Sequence, residues 1–274
     1  MNNICIYHKS CADGFGAALS VKVYLDKLQQ ECEFLPAFHG DEAPDVTGKN
    51  VYIVDFAYPR DVLIRMSEQA ESIIVLDHHK TAEADLVGLP FCEFDMSKSG
   101  AMMAWEKFGN ADEVPDLIRY IQDRDLWTWA LPMSKAYSAA LQLKSMDFEI
   151  WEPLLDNAKT AELCAEGEVI EAYQQAKVKR ALKQDIEMVT IAGHQVPCIN
   201  TTHLISEIGN ELAKGHPFAA MFFDTADKRV YSLRSAEDGI DVALIAKQFG
   251  GGGHFHAAGF SVAKPAHHFN PSND

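Results

Sequence analysis

The sequence predicts an α/β fold: a mostly parallel sheet over residues 1–186, followed by a smaller α/β domain over residues 187–274. Three observations predict it. Short runs rich in β-branched residues alternate with stretches of helical periodicity through the first hundred residues, as in a parallel sheet with crossover helices. A long helical region follows, and short strands resume near residue 187. The length of 274 residues also suits two domains of ordinary size.

Ile4–His8 reads as a buried strand, and Gly14–Leu25 as a helix with Phe15, Ala18, Leu19 and Val23 on its apolar side. Residues 32–37 and 51–54 read as further strands, and a helix is expected from Arg60 to about Ala70. Ile73-Ile-Val-Leu76 is wholly apolar, the signature of a parallel strand covered on both faces. Helical segments are expected near 99–108, 115–124, 134–143, 147–157 and 159–185. In the second domain, 188–191 and 196–200 read as strands, 203–214 as a helix and 218–223 with 229–233 as a strand pair. A helix over 241–249 runs into four glycines. The tail from Lys264 is polar and reads as loose, with His267 and His268 solvated.

Composition narrows the function classes. With 24 basic and 40 acidic residues the formal charge is −16. Such a surface repels long phosphate polymers, whose binding is built from many Lys and Arg contacts, yet leaves room for short anionic substrates. No apolar run approaches a membrane span, and the opening residues carry no secretory pattern. The six cysteines are scattered without a CxxC pair, as expected of reduced thiols in a cytoplasm.

Acids and histidines cluster where strands or helices end. His8-Lys-Ser-Cys11-Ala-Asp13-Gly14 follows the first strand, Asp55 the third, and Asp77-His78-His79 the fourth. Asp123-Arg124-Asp125-Leu126-Trp127 ends a helix. Singly, each reads as well as a turn or cap. Together they matter, because parallel strands bring their carboxyl ends to one edge, where open α/β sheets bind ligands. Two carboxylates 4 Å apart repel by about 4 kcal/mol at an effective dielectric of 20. A cation is therefore required among them, and mixed Asp/His donors suit a divalent transition metal, with manganese the first choice. A shared carboxylate would place two ions roughly 3.5–4 Å apart, the spacing that activates water against a phosphoryl group.

A second signal is Gly250-Gly-Gly-Gly-His254, with Gly251, Gly252 and Gly253 able to bring backbone N–H groups close to an anion. Arg234, ending a strand upstream, could fork onto a phosphate or form a surface ion pair. His39 and His203 have no spacing partner and read as surface or internally satisfied histidines.

These motifs, in this order over nearly the whole chain, resemble the DHH phosphoesterase superfamily with its DHH-associated carboxy-terminal domain. The resemblance implies two domains facing across a cleft, two Mn²⁺ ions on the first and substrate contacts from the second. By position, His8 looks like a ligand of the first metal and Asp13 of the second. Asp55 would bridge them, and His78 and Asp123 would complete the second; Asp125 is the alternative to Asp123. Asp77 and His79 would orient the site and contact phosphate. Arg234 and Gly251–His254 would hold the substrate. The family often carries an additional Asp where Cys11 stands. Cys11 is then a spare thiol, a thiolate ligand favouring a softer metal such as zinc, or the mark of a loosely held first ion.

The expected activity is hydrolysis of short oligonucleotides, linear dinucleotides or nucleotide phosphomonoesters, with no long nucleic acid and no membrane as partner. The alternatives are a polyphosphate or pyrophosphate phosphatase, and a non-catalytic nucleotide sensor. Exposed helices such as 99–108 could pair two subunits.

Overall fold

The computed structural model describes residues 2–184 and 186–264. Asp185 and the tail with His267 and His268 lie outside the described residues. In chain order the elements are β1 (Asn3–His8), α1 (Ala12–Lys27), β2 (Cys32–Ala37), β3 (Asn50–Val54), α2 (Arg60–Gln69), β4 (Ser72–Asp77), α3 (Lys80–Leu86) and β5 (Cys92–Phe94). There follow α4 (Gly100–Phe108), α5 (Asp116–Asp125), α6 (Ser134–Leu141), α7 (Phe148–Trp151) and the long α8 (Thr160–Ala181). Next come β6 (Glu187–Ile191), β7 (His194–Asn200), α9 (Ile205–Leu212), β8 (Ala219–Asp224), β9 (Lys228–Arg234), α10 (Val242–Lys247), β10 (Gly252–Gly253) and β11 (Ala257–Ala263).

The chain divides into two compact units, Met1–Tyr173 and Gln174–Asp274. The division falls inside α8, whereas the sequence reading draws it after that helix, at 186.

The first unit is built on a five-stranded sheet of order β2-β1-β3-β4-β5, parallel throughout. Strand alternation sends side chains to two separate cores. Ile4, Ile6, Val51, Ile53 and Val75 pack with Leu63 and Met66 of α2 on one face. Cys5, Tyr7, Val54 and Leu76 pack with α1, α4, α5 and α6 on the other. The connections from β1 leave toward β2 and those from β3 toward β4, so the crevice between the ends of β1 and β3 is the switch point where such sheets receive ligands.

Four elements differ from expectation. The helix expected over 147–157 is a single turn, α7, followed by 3-10 turns over Glu152–Leu155 and Asn157–Lys159, since Pro153 cannot donate to a continuing helix. The short α3 and β5 carry too few apolar residues to show a period; Leu86 is the buried residue of α3. The helix near 99–108, α4, is buried along Gly100–Trp105 in the core it shares with α1, so its apolar side is not an exposed pairing surface.

The second unit carries a six-stranded sheet of order β10-β11-β9-β8-β7-β6. It is antiparallel except for the β7–β8 pair. Val196, Phe218, Leu233, Val242, Ala246 and Phe260 form its core beneath α10. Among the described residues no helix is long and apolar enough to cross a membrane.

Candidate metal centre and substrate-contact segment

Local backbone conformation builds the site at the ends of β1, β3 and β4. After β1, Ser10 turns the chain through a left-handed conformation (φ 58°), and α1 begins one residue after Cys11. The first turn of α1 lies so close to β1 that a Cβ on Gly14 would sit 2.3 Å from the His8 carbonyl oxygen. After β3, Asp55 itself is left-handed (φ 53°), a conformation Asp and Asn tolerate better than most residues. Its amide donates to the Leu76 carbonyl (2.9 Å), which ties the turn to β4.

The carboxylates are held inside the protein. Asp13, Asp55, Asp77 and His78 are all buried. Asp13 reaches the amino terminus of α4, where Gly100 N donates to Oδ2 (2.6 Å) and Ala101 N to Oδ1 (2.9 Å). His78 Nε2 then lies 3.3 Å from Asp13 Oδ2, 3.2 Å from Asp55 Oδ1 and 3.6 Å from Asp125 Oδ2. His8 Nδ1 stands 3.7 Å from Asp55 Oδ2. Asp77 Oδ1 accepts from the His78 amide (2.8 Å) and pairs with His79 Nδ1 (2.7 Å), which fixes the His79 ring.

Three donor sets within the first unit follow, each with ligand atoms within 4.8 Å of one another: His8, Cys11 and Asp55; Asp13, Asp55 and His78; Asp55, Asp77 and His79. Asp55 belongs to all three. Two of its neighbourhood's oxygens, Asp55 Oδ2 and Asp77 Oδ2, are buried without a hydrogen-bond partner. An unsatisfied buried carboxylate oxygen is costly, and a cation within reach removes that cost, so these residues fit a divalent ion.

Proton affinities follow the crowding. Burial pushes Asp55 up, but the imidazoles of His78 and His8 outweigh it and hold the carboxyl well below its ordinary value. Burial pushes His78 down, while Asp13, Asp55 and Asp125 together raise it to about 12. His79, depressed by burial and raised by Asp77, ends at about 9. Asp125 is an exposed residue, but desolvation of its carboxylate where it faces His78 and the charge of Asp13 lift it to about 7. Burial and the neighbouring carboxylates of Asp55, Asp125 and Asp13 raise the Cys11 thiol.

The structure separates the two acids at the end of α5. Asp123, the first choice as a ligand, turns away from His78. Its Oδ1 accepts from Thr128 Oγ1 (2.6 Å) and Ala130 N (2.8 Å), and its Oδ2 from Leu131 N (3.2 Å). It clamps the loop on which Trp127 and Trp129 sit in left-handed conformations (φ 59° and 53°), with Arg124 over both rings. Asp125 is the acid that faces His78. Asp123 and Asp125 each have a tryptophan four residues on, Trp127 and Trp129, so spacing alone does not distinguish them; the direction of each side chain along α5 does.

His39 is exposed, as the sequence reading expects of a surface histidine, but its ring stands beside the site. Its ring centroid lies 5.9 Å from that of His8, 6.1 Å from His79 and 5.1 Å from Phe56. It follows β2, which pairs with β1 so that Ala37 stands beside His8, and desolvation of the ring, with the charges of His79 and His8, lowers its pKa. The available signal is its place two residues past a strand end, shared with the other site residues. The Gly100–Ala101 amides are invisible in the sequence because they act through the backbone.

In the second unit, Arg234 donates from Nη2 to Ser206 Oγ (2.9 Å) and from Nη1 to the Leu233 carbonyl (2.8 Å). Gly252 and Gly253 form β10 against Gly259 and Ala258 of β11. A Cβ on Gly251 would lie 2.0 Å from the Gly259 oxygen, and one on Gly253 (φ 140°) 2.5 Å from the Ala257 oxygen. The amides of Gly250, Gly251 and His254 donate to the carbonyls of Lys247, Ala246 and Ala257. Close strand approach therefore accounts for the glycines at 251 and 253, and those three amides are committed to the backbone instead of forming an open anion cradle.

Comparison with known proteins agrees with this architecture. Residues 189–269 match the DHHA1 domain family. The chain is 29% identical over 287 residues to the uncharacterized protein R106 of Acanthamoeba polyphaga mimivirus, covering 95% of this chain and 68% of that one. It is 28% identical over 244 residues to the oligoribonuclease NrnB of Bacillus subtilis, covering 77% of this chain and 59% of the relative. RecJ of Thermus thermophilus, solved in complex with Mn²⁺, superimposes with a TM-score of 0.52 at 18% identity, over 94% of this chain and 49% of that chain. With its parallel β2-β1-β3-β4-β5 sheet and its Asp77-His78-His79 segment the chain resembles the DHH phosphoesterase superfamily, and over residues 189–269 it carries a DHHA1 domain.

Proposed function

We propose that the chain is a divalent-metal-dependent phosphoesterase that hydrolyses short oligonucleotides or linear dinucleotides. The observation that carries this reading is Asp55, buried to 1% exposure, shared by three donor sets and retaining an oxygen with no hydrogen-bond partner. His8 and Asp55, with Cys11 beside them, would hold one ion; Asp13, Asp55, His78 and Asp125 would hold the other. Two divalent ions supply Lewis acidity toward phosphoryl oxygens and lower the pKa of water, which suits in-line attack on phosphorus. Manganese in the RecJ structure supports that choice of ion.

The chain's own residues then position the reaction. Asp13 is oriented by the α4 amides, so its placement does not depend on flexible partners. His79, locked by Asp77, presents a positive ring that would neutralise a phosphoryl oxygen. Arg234, braced by Ser206, would bind a substrate phosphate, and His254 with the Gly251–Gly253 segment would line the substrate-contact surface. During hydrolysis the oxygen of water forms the new bond to phosphorus, the ester P–O bond breaks, and the leaving oxygen takes a proton.

The oligoribonuclease relative supports a short nucleotide substrate, and the charge of −16 disfavours long nucleic acid. Incubation with pApA and Mn²⁺ should release mononucleotide. Asp55→Asn should abolish release while the fold persists, because Asn also tolerates the left-handed backbone. Undiminished turnover in EDTA would overturn the proposal. Hydrolysis of pyrophosphate with dinucleotides untouched would support the phosphatase alternative, and tight dinucleotide binding without turnover would support a sensor.

A further inference from the structure

The six cysteines are not equivalent. Cys5, Cys32 and Cys164 pack in or against one apolar core of the first unit, Cys92 against the other, and Cys198 in the core of the second unit. Cys11 belongs to none of these cores. It occupies the amino-terminal cap of α1, a position whose side chain ordinarily accepts an amide hydrogen bond; the Gly14 amide faces its sulfur, which is only a weak acceptor. Packing does not account for the residue, and a thiol is a poor cap beside the Ser, Thr, Asp or Asn that the position prefers.

What surrounds the sulfur does. His8, Cys11 and Asp55 offer one nitrogen, one sulfur and one oxygen within 4.8 Å of each other. Asp55 Oδ2, buried and without a hydrogen-bond partner, stands 3.7 Å from His8 Nδ1. A nitrogen and an oxygen donor at about 2.0–2.2 Å from a tetrahedral zinc ion lie roughly 3.3–3.5 Å apart, so the N–O pair needs to close by only a few tenths of an ångström. A mixed N, S, O set is borderline in softness and selects against the hard ions that all-oxygen and imidazole sets accept.

We propose that His8, Cys11 and Asp55 form a thiolate-containing metal position that selects zinc, cobalt or ferrous iron over manganese and magnesium, so that the two ions of this centre differ in kind. Binding breaks the Cys11 S–H bond, forms the sulfur–metal bond and releases the proton to solvent. The inference rests on the metal-dependent reading above and adds the identity of one ion.

The test is optical. Metal-free protein is titrated with Co²⁺, and bound cobalt is counted by elemental analysis. Wild type should develop the intense near-ultraviolet thiolate-to-cobalt charge-transfer band, absent from both Cys11→Ser and Cys11→Asp. In Cys11→Asp, zinc-over-manganese preference measured by competition should fall about tenfold or more, since even outer partners of a metal ligand are worth about 10- to 100-fold in affinity. Bound cobalt with ligand-field absorption but no charge-transfer band in wild type would overturn the Cys11 assignment and leave the metal-dependent reading standing. A band that persists in both variants would also overturn it, by placing the thiolate elsewhere. Failure of wild type to retain cobalt at all would overturn both.

Discussion

Gly100→Ala sets two effects of opposite sign against each other. Gly100 opens α4, and helix propensity alone favours alanine over glycine by at most about 1 kcal/mol. The structure opposes that gain. A Cβ at Gly100 would lie 2.5 Å from Asp55 Cβ, 2.9 Å from its Cα and 3.0 Å from its Cγ, where carbon atoms prefer about 3.5–4.0 Å. Relief therefore requires a shift of roughly 1 Å. The obstructing atoms are the root of a buried side chain in a left-handed turn, not the end of a flexible one, so either that turn or the start of α4 must move. Overpacking of this kind costs about 1–3 kcal/mol, which exceeds the propensity term. The displaced groups are Asp55 itself and the amides that orient Asp13, and metal sites demand distances within about 0.2 Å. We expect Gly100→Ala to unfold at lower urea in EDTA and to bind Mn²⁺ about 10- to 100-fold more weakly by calorimetric titration. Unchanged or increased stability together with unchanged affinity would refute the claim that α4 and Asp55 are mutually fitted.

Further outcomes are expected. Metal binding to His78 must expel a proton, because three carboxylates hold its pKa near 12 in the metal-free protein, so Mn²⁺ affinity should rise with pH between about 6 and 8 with measurable proton release. Over the same range the metal-free fold binds more protons than the unfolded chain, since His78, His79 and Asp125 are all raised to about 12, 9 and 7. Its urea stability should therefore fall as pH rises from about 6 to 9, and a flat or rising profile would contradict this. Asp123→Asn should alter the fluorescence of Trp127 and Trp129 and lower stability by about 1–3 kcal/mol, as a buried hydrogen-bonded carboxylate is lost, with metal stoichiometry retained. Asp125→Asn should weaken metal binding and leave the tryptophan spectrum unchanged; the reverse pattern would restore Asp123 as the ligand.

Most of the architecture was legible because it rests on periodicities that the chain displays locally. Ile4 and Ile6 alternate with Cys5 and Tyr7 and pack into opposite cores, and Ile73–Leu76 is apolar throughout because both of its faces are covered. What escaped were elements too short to show a period, α3 and β5, and the helix broken by Pro153. The site was legible to the extent that its residues stand at strand ends: His8, Asp13, Asp55, Asp77 and His78 do, and the structure brings them together. His39 stands at a strand end as well, but its relevance depends on β2 lying beside β1, a pairing across the sheet that spacing along the chain does not encode.

The order of residues by itself determined the α/β class, the run of strands and helices, and a set of acids and histidines that required a cation. Only the folded chain decided that Asp125 and not Asp123 faces His78, that Asp13 is held by the backbone of α4, and that Gly251 and Gly253 serve strand approach. The physical reason is directional. Strand ends are placed by local pattern, but where a carboxylate points, and which amide or sulfur it meets, depends on atoms brought from distant segments to within a few ångströms.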